Sequence, residues 1–468
     1  MKTYQNFING QWIKARSGEC MDVYNPATEE LIAQVAKSGH VDVDTAVNAA
    51  RDAFSTWKDT DIQERVNYID KIYQELMNRR EQLAEMITLE LGVPVSFSRT
   101  GQVDLALNEI RATLEEVIDY PFEEKVDTAQ VIKEPYGVVA CITPWNYPLN
   151  QIQRKITPAL LAGNTVVVKP ASNTPLTALL YAEIIEAAGL PDGVFNVVTG
   201  SGSEVGDYLA GHPQVDVISF TGSTEVGRNL YKPASTTVKK LVLELGGKSA
   251  MVYLPGGDLA LAVKKSMNTI LNNQGQTCSA MSRLLVPKDQ LDETKALIKA
   301  YYDENVIIGD PMEEKTTIGP MVSKSQLETV HQYIDQGKNE GANIFLGGNV
   351  LERPGHYIAP TVFTEVRNDM TIAQEEIFGP VLCVIAYETV DEAVRIANDS
   401  PYGLSGGVVG PLEQALKVAR KLRTGNVFVN DGPRSPKAPF GGYKQSGLGR
   451  ENGIYGLEDY LELKALFI

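Results

Sequence analysis

Short β-branched runs alternate with helical segments after residue 142, and this alternation constrains the fold more than any other feature of the chain. The runs NTVVVKP, GVFNVVTG and VDVISFTG are bounded by Gly and Pro, and segments such as LTALLYAEIIEAAGL and TEVGRNLYKPA alternate with them. Alternation of this kind predicts a parallel sheet with crossover helices. A second alternating region follows from Lys248 to about Asn430, so we predict an α/β fold.

The residues before this alternation follow other patterns. Residues 4–35 contain short β-like pieces, such as FINGQW with its Asn-Gly turn. From Asp42 to about Glu90, apolar residues recur every three or four positions, which predicts helices. Next, VIKEPYGVVACITPWNYP alternates, turns at residues 134–137 and continues as a strand. A chain of 468 residues is too long for one ordinary core, so we expect two or three domains.

Charge and cysteine content argue against several classes of function. The formal net charge of −16 disfavours nucleic acid or an anionic membrane surface as partner. No apolar run approaches the roughly 20 residues of a membrane span, and MKTYQNFINGQW lacks the apolar core of a signal peptide. Four cysteines and four histidines are dispersed without metal-ligand spacing, so we predict no metal, free thiols and a cytoplasmic location.

Two glycine-rich turns are candidates for a dinucleotide site. VVTGSGSEVG carries Gly200, Gly202 and Gly206, one residue longer than the G-x-G-x-x-G fingerprint. VISFTGSTEVG places Gly222 and Gly227 where a strand runs into a helix whose free N–H groups would face an anion. The alternative for each motif alone is a tight strand–helix turn without a ligand. Together, in consecutive units, they favour a nucleotide crevice.

Lys169 ends the run VVVKP, at the end of a strand that looks buried. One interpretation is an ordinary solvated strand end. The other is a lysine that grips a ribose or phosphate, since ligands of parallel sheets bind at the carboxyl edge.

Cys278, in NNQGQTCSAMSR, is the candidate nucleophile. Its neighbours within 275–279 are small, flexible or polar, a setting that suits a reactive thiolate better than a structural cysteine. Cys141 and Cys383 lie in apolar strands and are predicted to be core residues.

A cysteine enzyme also needs a base and a donor for an oxyanion. Glu244 lies in the hydrophobic run VLELGG, where burial would raise the carboxyl pKa towards the range of a general base. A Glu on a solvated strand face is the alternative. Asn146, held between aromatic and proline residues in PWNYP, is the candidate oxyanion donor, and a helix cap is its alternative role.

These residues belong to motifs through which the chain resembles the NAD(P)-dependent aldehyde dehydrogenase superfamily over essentially its whole length. Each motif alone is weak, but seven in the family's order are specific. They are PWNYP (144–148), KPAS (169–172), FTGSTEVG (220–227), LELGGK (243–248), GQTCSAMSR (275–283), EEIFGPV (375–381) and PFGGYKQSGLGRENG (439–453).

The resemblance implies a fold of three parts and an oligomer. Residues 1–123 and 142–246 would form a Rossmann-like NAD(P)-binding domain, and residues 247–430 an α/β catalytic domain. Residues 124–141 and 431–468 would form a small β oligomerisation element. Family members form dimers or dimers of dimers, so a homodimer or homotetramer is implied.

The resemblance also implies that an aldehyde is oxidised to a carboxylic acid with NAD or NADP. Cys278 would attack the aldehyde, Asn146 and the Cys278 backbone N–H would hold the oxyanion, and Glu244 would activate water to hydrolyse a thioester. The pyrophosphate would face FTGSTEVG, and VVTGSGSEVG would pack near the adenine. The implied cofactor positions are Trp145, Lys169, Ser172, Gly202, Gly222, Ser223, Gly227, Glu376 and Phe378.

Ser172 departs from the family, whose NAD-preferring members usually carry Glu there. That carboxylate repels a 2′-phosphate, so its absence predicts that NADP is tolerated and leaves the cofactor choice open.

The substrate is less constrained than the chemistry. The implied pocket positions are Tyr147, Gln151, Arg154, Thr277 and Phe440. Arg154, with Arg434 near the pocket mouth, would suit a semialdehyde with a distal anion. The alternative, which we favour, is that Arg154 pairs with a carboxylate of the protein itself.

Two rival functions stay open. A CoA-acylating dehydrogenase would pass the thioester to CoA, but such enzymes often lack the Glu base. A non-catalytic binding protein of the same fold is disfavoured because Cys278, Glu244 and Asn146 occur together.

Overall fold

The computed structural model describes residues 2–468, and the larger of its two main sheets has a Rossmann-like parallel centre. Strand order reverses between Val138–Ile142 and Val217–Thr221, which is where open parallel sheets bind ligands. The central strands, in spatial order, are Lys240–Glu244, Val217–Thr221, Val138–Ile142, Thr165–Lys169 and Phe195–Val197. The antiparallel strand Gly447–Leu448 flanks one side, and Asn6–Ile8 and Gln11–Ile13 flank the other.

The second large sheet has seven strands, of which only one outer strand is antiparallel. Together the two sheets confirm the predicted α/β fold. In spatial order the strands are Asn343–Leu346, Thr361–Thr364, Val381–Tyr387, Arg283–Pro287, Ala250–Tyr253, Ser405–Val409 and Asn426–Val429.

Three small sheets complete the β structure. Leu461–Phe467 pairs antiparallel with Ala129–Pro135, which also pairs with Glu123–Val126. A three-stranded sheet contains Lys2–Tyr4, Leu31–Ala36 and Cys20–Tyr24, and a two-stranded sheet joins Tyr402–Gly403 to Tyr443–Lys444.

The β element predicted for 124–141 and 431–468 is split between two sheets in the structure. Val138–Ile142 lies in the eight-stranded sheet because all five residues are buried and suit a central strand. Gly447–Leu448 also joins that sheet, where a Cβ on Gly447 would lie 2.2 Å from the Leu243 carbonyl oxygen. Only residues 123–135 and 461–467 form the small sheet itself.

Helices cover the faces of both large sheets. The helical region predicted from Asp42 to about Glu90 is confirmed as three helices. Among the described residues 2–468, no helix is long and apolar enough to cross a membrane. The α-helices are His40–Trp57, Ile62–Asn78, Arg80–Leu91, Val95–Phe97, Asp104–Val117, Pro148–Ala162, Leu176–Ala188, Asp207–Gly211, Thr224–Ala234, Leu259–Leu271, Leu291–Asn305, Lys324–Asn339, Thr371–Gln374, Val390–Asn398, Leu412–Ala419 and Gly453–Glu458. Ser98–Val103 and Gly202–Gly206 are π-helical turns, and Asn272–Gly275 and Lys288–Gln290 are short 3₁₀ turns.

Alternate side chains of one strand enter different cores. Val166 and Val168 pack on one face of the eight-stranded sheet, and Val167 packs on the other. Leu382 and Cys383 divide in the same way in the seven-stranded sheet. Burial on both faces explains why these parallel strands are continuous apolar runs in the sequence.

A buried carboxylate from one helix caps the start of another. Glu90 accepts the backbone N–H groups of Leu176 at 2.7 Å and Thr177 at 2.9 Å, and also the Thr177 hydroxyl. Pro175, at the cap position of that helix, offers no side-chain acceptor. Glu90 therefore satisfies N–H groups that the helix leaves free, while burial raises the pKa of its carboxyl to about 7.

We expect Glu90→Gln to lower the free energy of unfolding by about 1–3 kcal/mol, because its amide N–H₂ would face buried N–H donors. Thermal melting of matched samples measures this change. The control is Glu413→Gln, which removes only an exposed pair with Lys417 and should cost less than about 1 kcal/mol. Equal melting temperatures for the two variants would contradict this role of Glu90.

Candidate active site

The candidate residues meet where opposite edges of the two large sheets face each other. Asn146, Ser223 and Glu244 follow or end strands of the eight-stranded sheet, at its carboxyl edge. Cys278 and Glu376 precede strands of the seven-stranded sheet, at its amino edge. Between them lies a cavity of about 260 Å³, lined among others by Trp145, Asn146, Gly222, Ser223, Gly246, Cys278, Glu376 and Phe378.

The loop that carries Cys278 is tightly held. The helix Leu259–Leu271 ends in a turn where Asn273, Gln274 and Gly275 have φ angles of 54°, 53° and 68°. A Cβ on Gly275 would lie 2.2 Å from the Gly379 carbonyl oxygen, so this position requires glycine. The Cys278 side chain is half-buried.

The electrostatic surroundings of Cys278 differ from the prediction that they favour a thiolate. Burial, with the nearby carboxylates of Glu376 and Glu244, raises the pKa of the Cys278 thiol to about 12. Arg154 acts in the opposite direction but does not offset these effects. The carboxylates of Glu376 and Glu244 come from segments distant in sequence, so the polar neighbours of Cys278 along the chain do not reveal them.

Asn146 is buried and joined to the cysteine loop. Its Nδ2 donates to the Gln276 carbonyl oxygen at 2.9 Å, which leaves one amide hydrogen for another acceptor. The backbone carbonyl oxygen of Asn146 accepts hydrogen bonds from Gln102 Nε2 and Asn273 Nδ2, each at 2.9 Å. The alternative role as a side-chain helix cap is not found, because the helix Pro148–Ala162 has no side-chain cap bond.

Glu244 is buried, with 2% of its surface exposed, and both carboxylate oxygens lack a protein partner. Burial and the carboxylate of Glu451 raise its pKa well above the ordinary value. The prediction that Glu244 is buried is confirmed, and the alternative that it lies on a solvated strand face is wrong. A carboxylate with free lone pairs and a raised pKa can accept a proton from water.

A buried lysine and a second carboxylate lie close to Glu244. Lys155 Nζ donates to Glu451 Oε1 at 2.9 Å and to Thr221 Oγ1 at 2.7 Å. Thr221 lines the 260 Å³ cavity, so this chain of polar groups reaches the site. Lys155 lowers the pKa of Glu244 and so limits the rise caused by burial.

Arg154 is not free to bind a substrate. Its Nε and Nη2 donate to Glu109 at 2.7 and 2.6 Å, a bidentate pair in which both residues are buried. The favoured alternative, in which Arg154 pairs with a carboxylate of the protein itself, is therefore confirmed, and its Nε and Nη2 are taken up by that pair. Arg434 donates to the same carboxylate at 3.1 Å but keeps 35% of its side chain exposed.

Phe440, another predicted pocket residue, contacts both arginines. The Phe440 ring lies 4.6 Å from the Arg154 guanidinium and 5.0 Å from that of Arg434. The Tyr147 hydroxyl and Thr277 Oγ1 are 3.1 Å apart, which ties the pocket wall to the cysteine loop. Gln151 is buried on the helix Pro148–Ala162.

A second cavity lies on this side of the cysteine. It measures about 270 Å³ and is lined among others by Ser279, Arg434 and Phe440. The first cavity is lined by Cys278 itself, and the second by the next residue, Ser279.

The FTGSTEVG turn has the features of an anion site. Ser223 caps the helix Thr224–Ala234, its Oγ accepting the Val226 N–H at 3.3 Å. The Gly222 N–H donates to the Glu244 carbonyl, and a Cβ on Gly227 would lie 2.4 Å from Leu245. These glycines allow the close helix–strand packing that dinucleotide sites use.

The remaining predicted cofactor positions lie along the same edge. Lys169 ends its strand and is buried, which lowers its pKa to about 8. Ser172 is exposed and donates to the Gly200 carbonyl, while Gly202 begins an exposed turn.

At the other end of the site, the rings of Phe378 and Trp145 meet edge to face at 5.2 Å, and Phe378 has the strained φ of 56°. Glu376 accepts the Gly247 N–H at 3.0 Å, and burial raises its pKa to about 7. A Cβ on Gly246 would lie 2.3 Å from the Glu376 carboxylate, so this contact also depends on glycine.

Five buried residues of the site were not assigned from the sequence. Lys155 and Glu451 lie within or beside quoted motifs, and Asn273 lies in the cysteine stretch, but no pattern marks their contacts. Gln102 and Glu109 come from the region 98–117, which carries no motif. A π-helical turn at Ser98–Val103, a feature frequent at functional sites, is a signal that only the structure gives.

No described group of three or more His, Cys, Asp or Glu side chains within 2–468 is arranged to hold a metal.

The chain is similar to known proteins over nearly its whole length. The family model described as "Aldehyde dehydrogenase family" matches residues 12–466. The chain is 45% identical to a Staphylococcus aureus protein named as an aldehyde dehydrogenase, covering 100% of this chain and 99% of that protein.

Two solved structures are similar along the whole chain. One is a cysteine-to-alanine variant of Pseudomonas syringae aldehyde dehydrogenase C with NAD+ and octanal, at 46% identity and a TM-score of 0.97, covering 99% of this chain and 96% of that chain. The other is a Bacillus cereus aldehyde dehydrogenase with NAD+, at 38% identity and a TM-score of 0.97, covering 100% and 96%. The chain belongs to the aldehyde dehydrogenase family.

Proposed function

We propose that this protein oxidises an aldehyde to a carboxylic acid with NAD+, through a thioester on Cys278. The observation that carries the proposal is a cavity lined by the Cys278 thiol and by Asn146, with the buried, unpartnered carboxylate of Glu244 close enough to raise the pKa of that thiol. The solved complexes of relatives with NAD+ support the cofactor. Octanal in the Pseudomonas syringae structure supports an aldehyde as substrate.

The chain supplies a fitting site for a nicotinamide dinucleotide. Ser223 and the helix start would hold the pyrophosphate, and Lys169, which has no side-chain partner among the described hydrogen bonds, would hold the adenosine ribose. Glu376 would bind the nicotinamide ribose, with Phe378 and Trp145 beside the ring. When bound, the nicotinamide accepts the hydrogen and electron pair that leave the aldehyde carbon.

The first covalent step joins the Cys278 sulfur to the aldehyde carbon. Because the pKa of the thiol is raised, the sulfur must pass its proton to solvent water before or during attack. The carbonyl oxygen then becomes an oxyanion, and the second hydrogen of Asn146 Nδ2 is available to it. Oxidation of this adduct leaves an acyl group bound to sulfur as a thioester.

Release of the acid requires water and a base. Glu244 takes a proton from the water that attacks the thioester carbon, and the Cys278 sulfur leaves as the acid forms. The Lys155–Glu451 pair stands near the protonated Glu244 and reaches Thr221 at the cavity wall. The presence of this base favours hydrolysis over transfer to CoA and favours an enzyme over a binding protein.

We also propose the three-part organisation, with the small β element confined to residues 123–135 and 461–467. We further propose that the protein forms a homodimer or homotetramer. The sheet of residues 123–135 and 461–467 leaves Phe467 and Ile468 exposed at 83% and 92%. Such exposed apolar groups beside an open sheet edge suit contact with a second copy. A cytoplasmic location is proposed from the free thiols alone.

A second candidate is an aldehyde that carries an anion far from its carbonyl. Arg434 favours it, because its guanidinium lines the 270 Å³ cavity and shares Glu109 with the better-paired Arg154. Of the two arginines expected from the sequence to bind a distal anion, only Arg434 is retained in this proposal.

For the main proposal, we expect Glu244→Gln to form the thioester but hydrolyse it at least about 10²-fold more slowly. Absorbance of the reduced cofactor should show one rapid turnover followed by a slow phase. In the wild type the steady rate should rise with pH, since the raised pKa keeps Glu244 protonated until the solution becomes more alkaline. Full activity of Cys278→Ala would overturn the mechanism.

For the cofactor, we expect measurable turnover with NADP as well as NAD in the wild type. Ser172→Glu should lower kcat/KM for NADP at least about tenfold, because a carboxylate repels the 2′-phosphate, and leave NAD little changed. Asn173→Glu, which places the same charge one residue away, is the matched control. A wild type without NADP turnover would refute this interpretation of Ser172.

For the anionic substrate, we expect Arg434→Leu to raise KM for succinic semialdehyde at least about tenfold while KM for butanal changes little. Lys437→Leu removes a cation from the same loop, where it pairs with Glu115, and serves as the control. An equal change of KM for both aldehydes would leave the neutral aldehyde as the supported substrate.

A further inference from the structure

Three consecutive residues before the nucleophile have left-handed backbone conformations. Asn273 and Gln274 share this conformation with Gly275, although only glycine adopts it freely. Asn tolerates it better than most residues, but a run of two side chains needs contacts that hold it. Those contacts are therefore a guide to what the turn does.

The side chain of Asn273 contacts both candidate catalytic segments. Its Nδ2 donates to the Asn146 carbonyl oxygen at 2.9 Å and to the Gln276 carbonyl oxygen at 3.1 Å. Asn146 Nδ2 donates to the same Gln276 oxygen at 2.9 Å. Asn146 is thus linked through both its backbone and its side chain to the carbonyl two residues before Cys278.

A second buried amide strengthens this arrangement. Gln102, from the π-helical turn Ser98–Val103, donates its Nε2 to the Asn146 carbonyl at 2.9 Å and approaches Asn273 Oδ1 at 3.5 Å. Gln276 in turn donates its backbone N–H and its Nε2 to the Asn273 carbonyl, at 3.0 and 3.1 Å. These four side chains are buried, so water does not compete for their hydrogen bonds.

We infer that Asn273 is a positioning residue, which fixes the Asn146 amide relative to the Cys278 sulfur for binding of the oxyanion. The inference rests on the proposed function, in which Asn146 holds that oxyanion. Asn273 acts through Asn146 and the Gln276 carbonyl, and it does not touch the substrate in this role. An error of about 1 Å in such a geometry can cost on the order of 10²-fold in rate.

The test is Asn273→Gly, which keeps the left-handed backbone accessible and removes the whole side chain with its amide. We expect kcat for aldehyde oxidation to fall about 10²-fold. Two readouts should stay within about threefold of the wild type: the Kd for NAD+ and the rate at which iodoacetamide alkylates Cys278. Alkylation displaces iodide from carbon without forming an oxyanion, so it reports on the thiol alone.

A double variant separates positioning from a merely structural role. If Asn273 acts through Asn146, then Asn146→Ala combined with Asn273→Gly should be within about threefold of Asn146→Ala alone. A further tenfold loss in the double variant would overturn the inference. So would a kcat of Asn273→Gly within threefold of the wild type, or a parallel fall in alkylation.

Gln102→Leu provides the second variant if Asn273→Gly does not fold. It removes one of the two donors to the Asn146 carbonyl from a helical position without a left-handed backbone. We expect about a tenfold lower kcat, again non-additive with Asn146→Ala, and an unchanged kcat would contradict the inference. A wild type that oxidises no aldehyde would overturn the proposed function and this inference together, whereas an active wild type with unaffected variants overturns the inference alone.

Discussion

The apposition of opposite sheet edges is the constraint on which the rest of the site depends. The carboxyl edge of the eight-stranded sheet supplies Asn146 and Glu244, and the amino edge of the seven-stranded sheet supplies Cys278. The two edges come close because Gly246 and Gly247 have no side chains at the seam, where a Cβ would strike Glu376 or the Cys278 carbonyl. Each sheet is packed on both faces by its own hydrophobic cores, and these cores support the seam from both sides.

The sequence was sufficient for those parts of the site that depend on strand ends. In a parallel sheet the residues after each strand share one edge, so the alternation of strands and helices placed Lys169 and Gly222 at the carboxyl edge, and the hydrophobic run VLELGG marked Glu244 as buried. Cys278 does not follow that rule, because it precedes its strand at the amino edge. Its identification depended on polar neighbours and on motif order, and its raised pKa could not have been predicted from either.

The partners of buried charges could not be predicted from the sequence, for a physical reason. A charge such as Arg154 is stable in the interior only with a specific partner, and nothing in the order of residues says that Glu109, 45 positions earlier, is that partner. Glu90 and Gln102 lie in helical regions with ordinary patterns, yet each is buried with its polar atoms directed at the backbone of another segment. Such contacts appear only when the packing angles of the helices are known.

The pairing of Leu461–Phe467 with Ala129–Pro135 has a consequence for synthesis of the chain. Lys464 contacts Glu134 across 330 residues, so the strand at 129–135 has no neighbour on that side while the intervening chain is made. An unpaired strand edge is a template for pairing with other chains. The nascent protein therefore carries an aggregation-prone edge through most of translation, and the charges of Lys133 and Glu134 there make incorrect pairing less favourable.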